Sequence, residues 1–118
     1  MEEYAQWMEK AEEDLATAQY NDKGERNTAA AFFAHQATEK ALKAVFIKKE
    51  NDLIKTHDLV LLAEKTRAPT KISTLCKQLN PLYLATRYQT IAPDEAFQKA
   101  KVYIAYAQEV LTWCHKQL

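Results

Sequence analysis

The sequence predicts a single all-α domain over residues 1–118, and two features of its composition carry that prediction. Glycine occurs once and proline three times, which is too few for an all-β fold with a turn roughly every ten residues. Ala, Glu, Lys, Gln and Leu, all good helix formers, are abundant instead. A chain of 118 residues can bury one hydrophobic core and is too short for two independent ones.

The first helix is predicted over residues 3–20. Apolar side chains recur there at spacings of three and four residues, which places them on one face of a helix. That face consists of Tyr4, Met8, Ala11, Leu15 and Ala18, with Trp7 beside it. The stretch "NDKGER" at 21–26 holds the only glycine and predicts the first turn.

A second, long helix is predicted over residues 26–49, where nothing breaks a helix. On a helical wheel of about 100° per residue, mostly small residues share one arc. They are Phe33, Ala34, Ala37, Ala41, Ala44 and Val45. A polar strip of Gln36, Glu39, Lys40 and Lys43 lies opposite. Either this is a central helix whose polar strip lines a cleft or subunit interface, or the strip is a solvated face with i, i+4 pairs.

Three further helices are predicted in the second half of the chain. The third follows "THDL" at 56–59, with Leu59, Leu62 and Ala63 inward, and ends near Pro69 because proline disfavours helix before it. The fourth covers 71–88. Pro81 either kinks it or restarts it with Asn80 as the cap. The fifth covers 94–116 and places one apolar stripe on its inner face: Phe97, Ala100, Ile104, Ala107, Leu111 and Cys114.

The net charge and the two cysteines make some classes of function less favourable for this protein. The 16 basic and 16 acidic residues give a formal net charge of zero, so the overall balance does not favour nucleic acid or an anionic membrane. Cys76 and Cys114 lie far apart in apolar helical patterns and do not indicate a disulfide framework. No apolar run approaches the ~18 residues of a membrane span, and the acidic start is unlike a signal peptide. We expect a cytoplasmic protein without membrane association.

The candidate site residues are few, and each has a structural alternative. His35 and Glu39 have the i, i+4 spacing of helical metal ligands, yet no third ligand lies nearby in sequence, so we expect no metal site and no cofactor. His57 stands at a helix start, where Thr56 or Asp58 caps the helix and the imidazole bonds the backbone or transfers protons.

Arg87 and Tyr88 stand at the end of a predicted helix. The guanidinium either caps backbone carbonyls or binds a phosphate while Tyr88 stacks on a base. Lysines between 40 and 55, including Lys40 and Lys43, give a weak indication of an anionic ligand. The glycine-rich loops, CxxC pairs and GxSxG elbows of familiar enzyme classes are absent.

Four stretches together resemble the HEPN domain in order and spacing. They are "W-x3-A-x2-DL-x2-A" at 7–18, "FFAHQATEKALKA" at 32–44, "THDL" at 56–59 and "Y-x3-RY" at 83–88. The second stretch is the most specific, and the resemblance covers nearly the whole chain. The second stretch is typical of small stand-alone bacterial or archaeal HEPN proteins.

The resemblance implies an antiparallel, up-and-down bundle of four to five helices that forms a homodimer. It further implies a partner, a minimal nucleotidyltransferase, within a two-component, toxin–antitoxin-like system. The dimer cleft of such proteins is expected to bind nucleotide or RNA. In this sequence the residues for that role are Arg87, Tyr88, His35, Lys40 and Lys43.

Many HEPN proteins are metal-independent endoribonucleases with an arginine followed, four to six residues later, by a histidine. Arg87 resembles that arginine, but "YQTIAPDEAF" follows it without a histidine. We therefore expect a binding and accessory subunit. The alternative is an RNase toxin in which Arg87 acts with a histidine from elsewhere in the chain, for which His57 is the candidate.

Overall fold

The computed structural model describes residues 3–88, 97 and 99–118, and this part of the chain is helical throughout its regular structure. It contains α1 (Glu3–Lys23), α2 (Asn27–Glu50), α3 (Leu59–Lys65), α4 (Thr70–Leu79), α5 (Leu82–Arg87) and α6 (Ala100–Gln117). The predicted all-α bundle is confirmed, and the described residues form six helical segments because the predicted fourth helix is divided into α4 and α5 at Pro81. None of the described helices is both long and apolar enough to cross a membrane.

Helices α1 and α2 form an antiparallel hairpin, joined by a short turn. The apolar stripe predicted for α1 is confirmed, since Met8, Ala11, Leu15 and Ala18 are all buried. The turn is a Schellman motif in which the N–H of Arg26 donates to the carbonyl of Asn21 at 2.8 Å. The left-handed residue of the motif is Glu25, with φ of 59°, and the adjacent glycine has no positive φ.

Helix α2 is the central element and packs against α1, α3, α5 and α6. Its alanines at 30, 34, 37, 41 and 44 are fully buried, so neighbouring helices approach its backbone closely. Glu39 and Lys43 are buried as well. The alternative in which the polar strip is a solvated face is therefore wrong for these two residues, although an i, i+4 pair does join them.

The predicted core faces of α3 and α6 are confirmed. Leu59, Leu62 and Ala63 are buried in α3, and the stripe from Ala100 to Cys114 is buried in α6. Phe97 is buried just before α6. The predicted start of the last helix at residue 94 lies outside the described residues. Both cysteines are buried and unpaired, and burial raises the pKa of the Cys76 thiol to about 12.

The chain restarts its helix at Pro81, which separates α4 from α5. The prediction that Asn80 caps the restarted helix is wrong. Asn80 has helical dihedral angles, and its side chain instead accepts a hydrogen bond from the N–H of Leu59 at 2.9 Å. Asn80 thus caps α3, because the start of α3 lies against the α4–α5 junction.

Candidate functional site

The ring of Tyr83 is the centre of a group of polar side chains beside the middle of α2. His57 stacks on this ring with centroids 4.1 Å apart and an interplanar angle of 14°. The ring of His35 lies 5.4 Å away at 42°. Arg87 Cζ lies 5.0 Å from the ring centroid, and Nη1 donates a hydrogen bond to the Tyr83 hydroxyl. With Glu39 and Lys43, these four residues form what we call the Tyr83 cluster.

Local geometry explains how α5 and the segment before α3 build this cluster. Tyr83 and Arg87 are four residues apart on α5 and therefore lie on the same helix face. Asp58 caps α3 by accepting hydrogen bonds from the N–H groups of Val60 and Leu61. Thr56 Oγ1 accepts from the N–H of Asp58. These bonds fix the backbone on both sides of His57 and direct its ring to α5.

The carboxylate of Glu39 connects the cluster to the core of the bundle. Its Oε1 lies 2.9 Å from His57 Nδ1, and its Oε2 accepts a hydrogen bond from Lys43 Nζ at 3.0 Å. The Glu39 side chain is 5% exposed, whereas that of His57 is 54% exposed. A buried carboxylate needs hydrogen-bonded partners, and Glu39 has one for each oxygen.

His35 occupies the buried side of the cluster. Its side chain is fully buried, and neither ring nitrogen has a described partner in good hydrogen-bond geometry, although the backbone of His57 lies near enough to raise the pKa of His35 slightly. Burial lowers the pKa of His35 to about 4, and the negative charge of nearby Glu39 opposes only part of that shift. His35 is therefore a neutral imidazole at physiological pH, within the core and behind Tyr83.

Lys40 and Lys43 both bind carboxylates of the same chain. Lys40 Nζ is 2.5 Å from an oxygen of Asp14 on α1. Lys43 Nζ is buried against Glu39 and lies 5.6 Å from the centroid of the Trp7 ring. Lys40 also lines a groove of about 340 Å³ with Gln6, Trp7 and Lys10, outside the Tyr83 cluster. A ligand-binding role for the two lysines stays a prediction.

Tyr88 follows directly after α5 and is half-exposed. Its N–H donates to the carbonyl of Leu84 and closes the last turn of the helix. Arg87, one residue earlier, is exposed, and no Asp or Glu of the described residues pairs with it. Within the same residues, no three His, Cys, Asp or Glu side chains are grouped as metal ligands.

The predicted residues therefore fall into two groups. Arg87, His57 and His35 meet at Tyr83, with Tyr88 next to Arg87 in the chain, whereas Lys40 lies elsewhere. Sequence reasoning included Tyr83 in the "Y-x3-RY" motif without giving it a role in the site, and it missed the connecting role of Glu39. The i, i+4 spacing of Tyr83 and Arg87 was a usable signal for the first. No sequence signal links Glu39 to His57, because they are 18 residues apart and on different elements.

Comparison with a family model and comparison with solved structures both identify HEPN proteins as similar to this chain. The model of the HEPN domain family matches residues 4–117. The structure of TT1696 from Thermus thermophilus is similar, with a TM-score of 0.91, 25% sequence identity and coverage of 100% of both chains. That of ST0689, an archaeal HEPN homologue, has a TM-score of 0.83 and 28% identity over 99% of this chain and 98% of the other. No curated protein matches.

Proposed function

This chain belongs to the HEPN domain family, and from that premise we propose that it is the accessory subunit of a minimal nucleotidyltransferase in a cytoplasmic two-component, toxin–antitoxin-like system. In this proposal it forms a homodimer and binds nucleotide or RNA at the Tyr83 cluster. The observation that carries the binding role is the exposed guanidinium of Arg87, held by the Tyr83 hydroxyl beside the half-exposed ring of His57.

The chemistry of the cluster suits a phosphate-containing ligand. Arg87 presents a planar fork of N–H donors, which matches two oxygens of a phosphate. Its contact with Tyr83 restricts the side chain, so less conformational entropy is lost when a ligand binds. The exposed ring of Tyr88 supplies an aromatic face of the kind on which bases stack. The formal net charge of zero argues for a local contact over broad affinity for nucleic acid.

Binding is tested by fluorescence anisotropy with a short labelled single-stranded RNA and, separately, a labelled adenine nucleotide. Arg87→Ala should weaken binding roughly 10-fold or more, because a charge-assisted bidentate contact is lost. Arg67→Ala removes another exposed arginine, outside the cluster, and should leave binding unchanged. Equal affinity of the wild-type protein and Arg87→Ala would refute the role of the cluster.

The partner is tested separately. A tagged copy expressed at its natural level in the source cells should co-purify with a small nucleotidyltransferase-like protein, identified by mass spectrometry. Recovery of this chain alone, at a tag position that leaves the native fold intact, would contradict the accessory-subunit role and leave the ligand-binding role to be decided by the anisotropy measurement.

The contact between Glu39 and His57 favours a second candidate function, a metal-independent endoribonuclease. His57 Nε2 would take the proton of a ribose 2′-hydroxyl, and the 2′-oxygen would attack the adjacent phosphorus. The bond from phosphorus to the 5′-oxygen would break, the departing oxygen would take a proton from water, and the hydroxide left by that water would take the proton from His57. The products would be a 2′,3′-cyclic phosphate and a 5′-hydroxyl, and Arg87 would neutralise the charge that develops on the phosphate.

This second candidate is decided by an RNA cleavage assay in the presence of EDTA. Cleavage by the wild type, with losses of roughly 10²-fold or more in His57→Ala and Arg87→Ala, would establish the endoribonuclease. Growth arrest on overexpression should then be relieved by the same substitutions. Absence of cleavage by the wild type would leave the accessory and binding function as the only proposal.

A further inference from the structure

The ring of His57 is held through one nitrogen only. Nδ1 faces Glu39 Oε1 at 2.9 Å, while no described residue forms a hydrogen bond with Nε2. Because Glu39 is buried and His57 is half-exposed, the bonded nitrogen points to the core. The ring plane is fixed independently by stacking on Tyr83. Two contacts of different kinds therefore determine both the position and the orientation of the imidazole.

We propose that Glu39 is a positioning residue that holds His57 in the tautomer with its proton on Nδ1 and presents the lone pair of Nε2 to a phosphoribosyl ligand bound by Arg87. The inference rests on the proposed function, since it takes the Tyr83 cluster to be the ligand site. To the proposed function it adds a role for the buried residue Glu39 and a defined tautomer for His57.

The distribution of bonds around Glu39 supports this role. Lys43 occupies Oε2, so Oε1 remains for His57 and the two donors do not compete. A carboxylate is an acceptor only, and it therefore requires a proton on the facing nitrogen of the imidazole. Glu39 is the one carboxylate in the Tyr83 cluster, so among the described residues no second acidic group faces His57 in its place.

The other polar groups facing His57 do not compete for Nδ1. Tyr83 contacts the face of the ring, and its hydroxyl accepts from Arg87. His35 lies on the buried side of Tyr83 and is neutral. The described residues around the imidazole thus contain one hydrogen-bonding partner, which is Glu39.

Long-range ¹H–¹⁵N NMR of the histidine rings, recorded at alkaline pH, tests the proposal without any ligand. In the wild type, His57 should carry its proton on Nδ1. His115 is an internal control of opposite sense, because it faces Glu12 through Nε2 at 2.5 Å and should carry its proton there. A wild-type His57 protonated on Nε2 would overturn the proposal.

The matched variant replaces both members of the buried pair, Glu39→Leu with Lys43→Met, so that no charge is left unpaired in the core. His57 should then lose its Nδ1–H preference, while His115 should remain unchanged. An unchanged His57 tautomer in the folded double variant would refute positioning by Glu39. If the double variant does not fold, the wild-type spectrum decides, because the tautomer is a property of the native protein.

RNA cleavage and RNA binding are measured on the same samples. These measurements distinguish a failure of the positioning role of Glu39 from a failure of the proposed function. If the wild type cleaves RNA, the double variant should be slower by on the order of 10²-fold, because the base is misplaced. If wild-type His57 carries its proton on Nδ1 but the protein neither binds nor cleaves RNA, the proposed function is refuted, and only the contact between Glu39 and His57 remains. If the double variant loses the Nδ1–H tautomer of His57 but keeps its RNA binding or cleavage, the positioning role is refuted and the proposed function stands.

Discussion

The side chain of Asn80 joins two helix ends that are far apart in sequence. Its Oδ1 accepts a hydrogen bond from the N–H of Leu59 at 2.9 Å, and its Nδ2 donates to Oδ1 of Asp58 at 3.1 Å. Asp58 uses the same oxygen to cap α3. One asparagine thus fixes the start of α3 against the beginning of α5, and in doing so it places His57 against Tyr83.

Asn80→Ala should destabilise the protein by about 1–3 kcal/mol, because the N–H of Leu59 loses its acceptor and Asp58 loses a donor. Urea unfolding followed by far-UV circular dichroism measures the change. Asn21→Ala is the matched control, since among the described residues the Asn21 side chain donates only to the carbonyl of Thr17 within its own helix. It should change stability by less than about 0.5 kcal/mol. Equal effects of the two substitutions would show that the link does not stabilise the fold.

The buried pair of Glu39 and Lys43 should behave as a coupled unit. Glu39→Leu alone should cost about 3–5 kcal/mol, because the ammonium of Lys43 stays buried without its carboxylate. The double variant with Lys43→Met should recover most of that loss, since a well-packed apolar pair often replaces a buried ion pair at little cost. A double-mutant cycle from denaturant unfolding measures the coupling. Additive single effects would contradict the pairing.

His35 should make the protein sensitive to acid. The folded pKa of about 4 lies below the unfolded value of 6.5, so the unfolded chain binds more protons between these values. The free energy of unfolding contributed by neutral His35 is complete above pH 6.5 and is lost as the pH falls towards 4. The shift corresponds to on the order of 3 kcal/mol.

His35→Leu removes the titrating ring, so its free energy of unfolding should fall less than that of the wild type between about pH 7 and about pH 4.5. Thr38→Val is the control, because it alters a buried side chain of the same helix that does not titrate. That variant should shift the whole stability curve and keep its slope. An identical pH slope in His35→Leu and wild type would rule out His35 as the source of the acid sensitivity.

Arg67 offers a stabilising substitution. It is the left-handed residue of a Schellman motif after α3, with φ of 58°, and the N–H of Ala68 donates to the carbonyl of Ala63 at 2.9 Å. Arg67→Gly should raise the free energy of unfolding by about 0.5–1 kcal/mol, because glycine adopts this conformation without a steric penalty. Lys65→Gly, two residues earlier in the helix, should instead lower it by a similar amount. Thermal unfolding distinguishes the two outcomes.

Local periodicity predicted the helices and their buried faces, because a helix places residues three and four apart on one side whatever its neighbours are. The stripes from Met8 to Ala18 and from Ala100 to Cys114 depend on nothing else. The motif from Tyr83 to Tyr88 was also visible, since its residues lie within one short segment.

Tertiary structure alone decided which polar residues were buried and which met. Glu39 and Lys43 have the spacing of a solvated pair, and only the packing of α2 between other helices makes them a buried one. His57 reaches Glu39 and Tyr83 because Asn80 holds α3 in place. Such contacts depend on the relative positions of separate elements, and a sequence pattern encodes the period of each element without the distances between them.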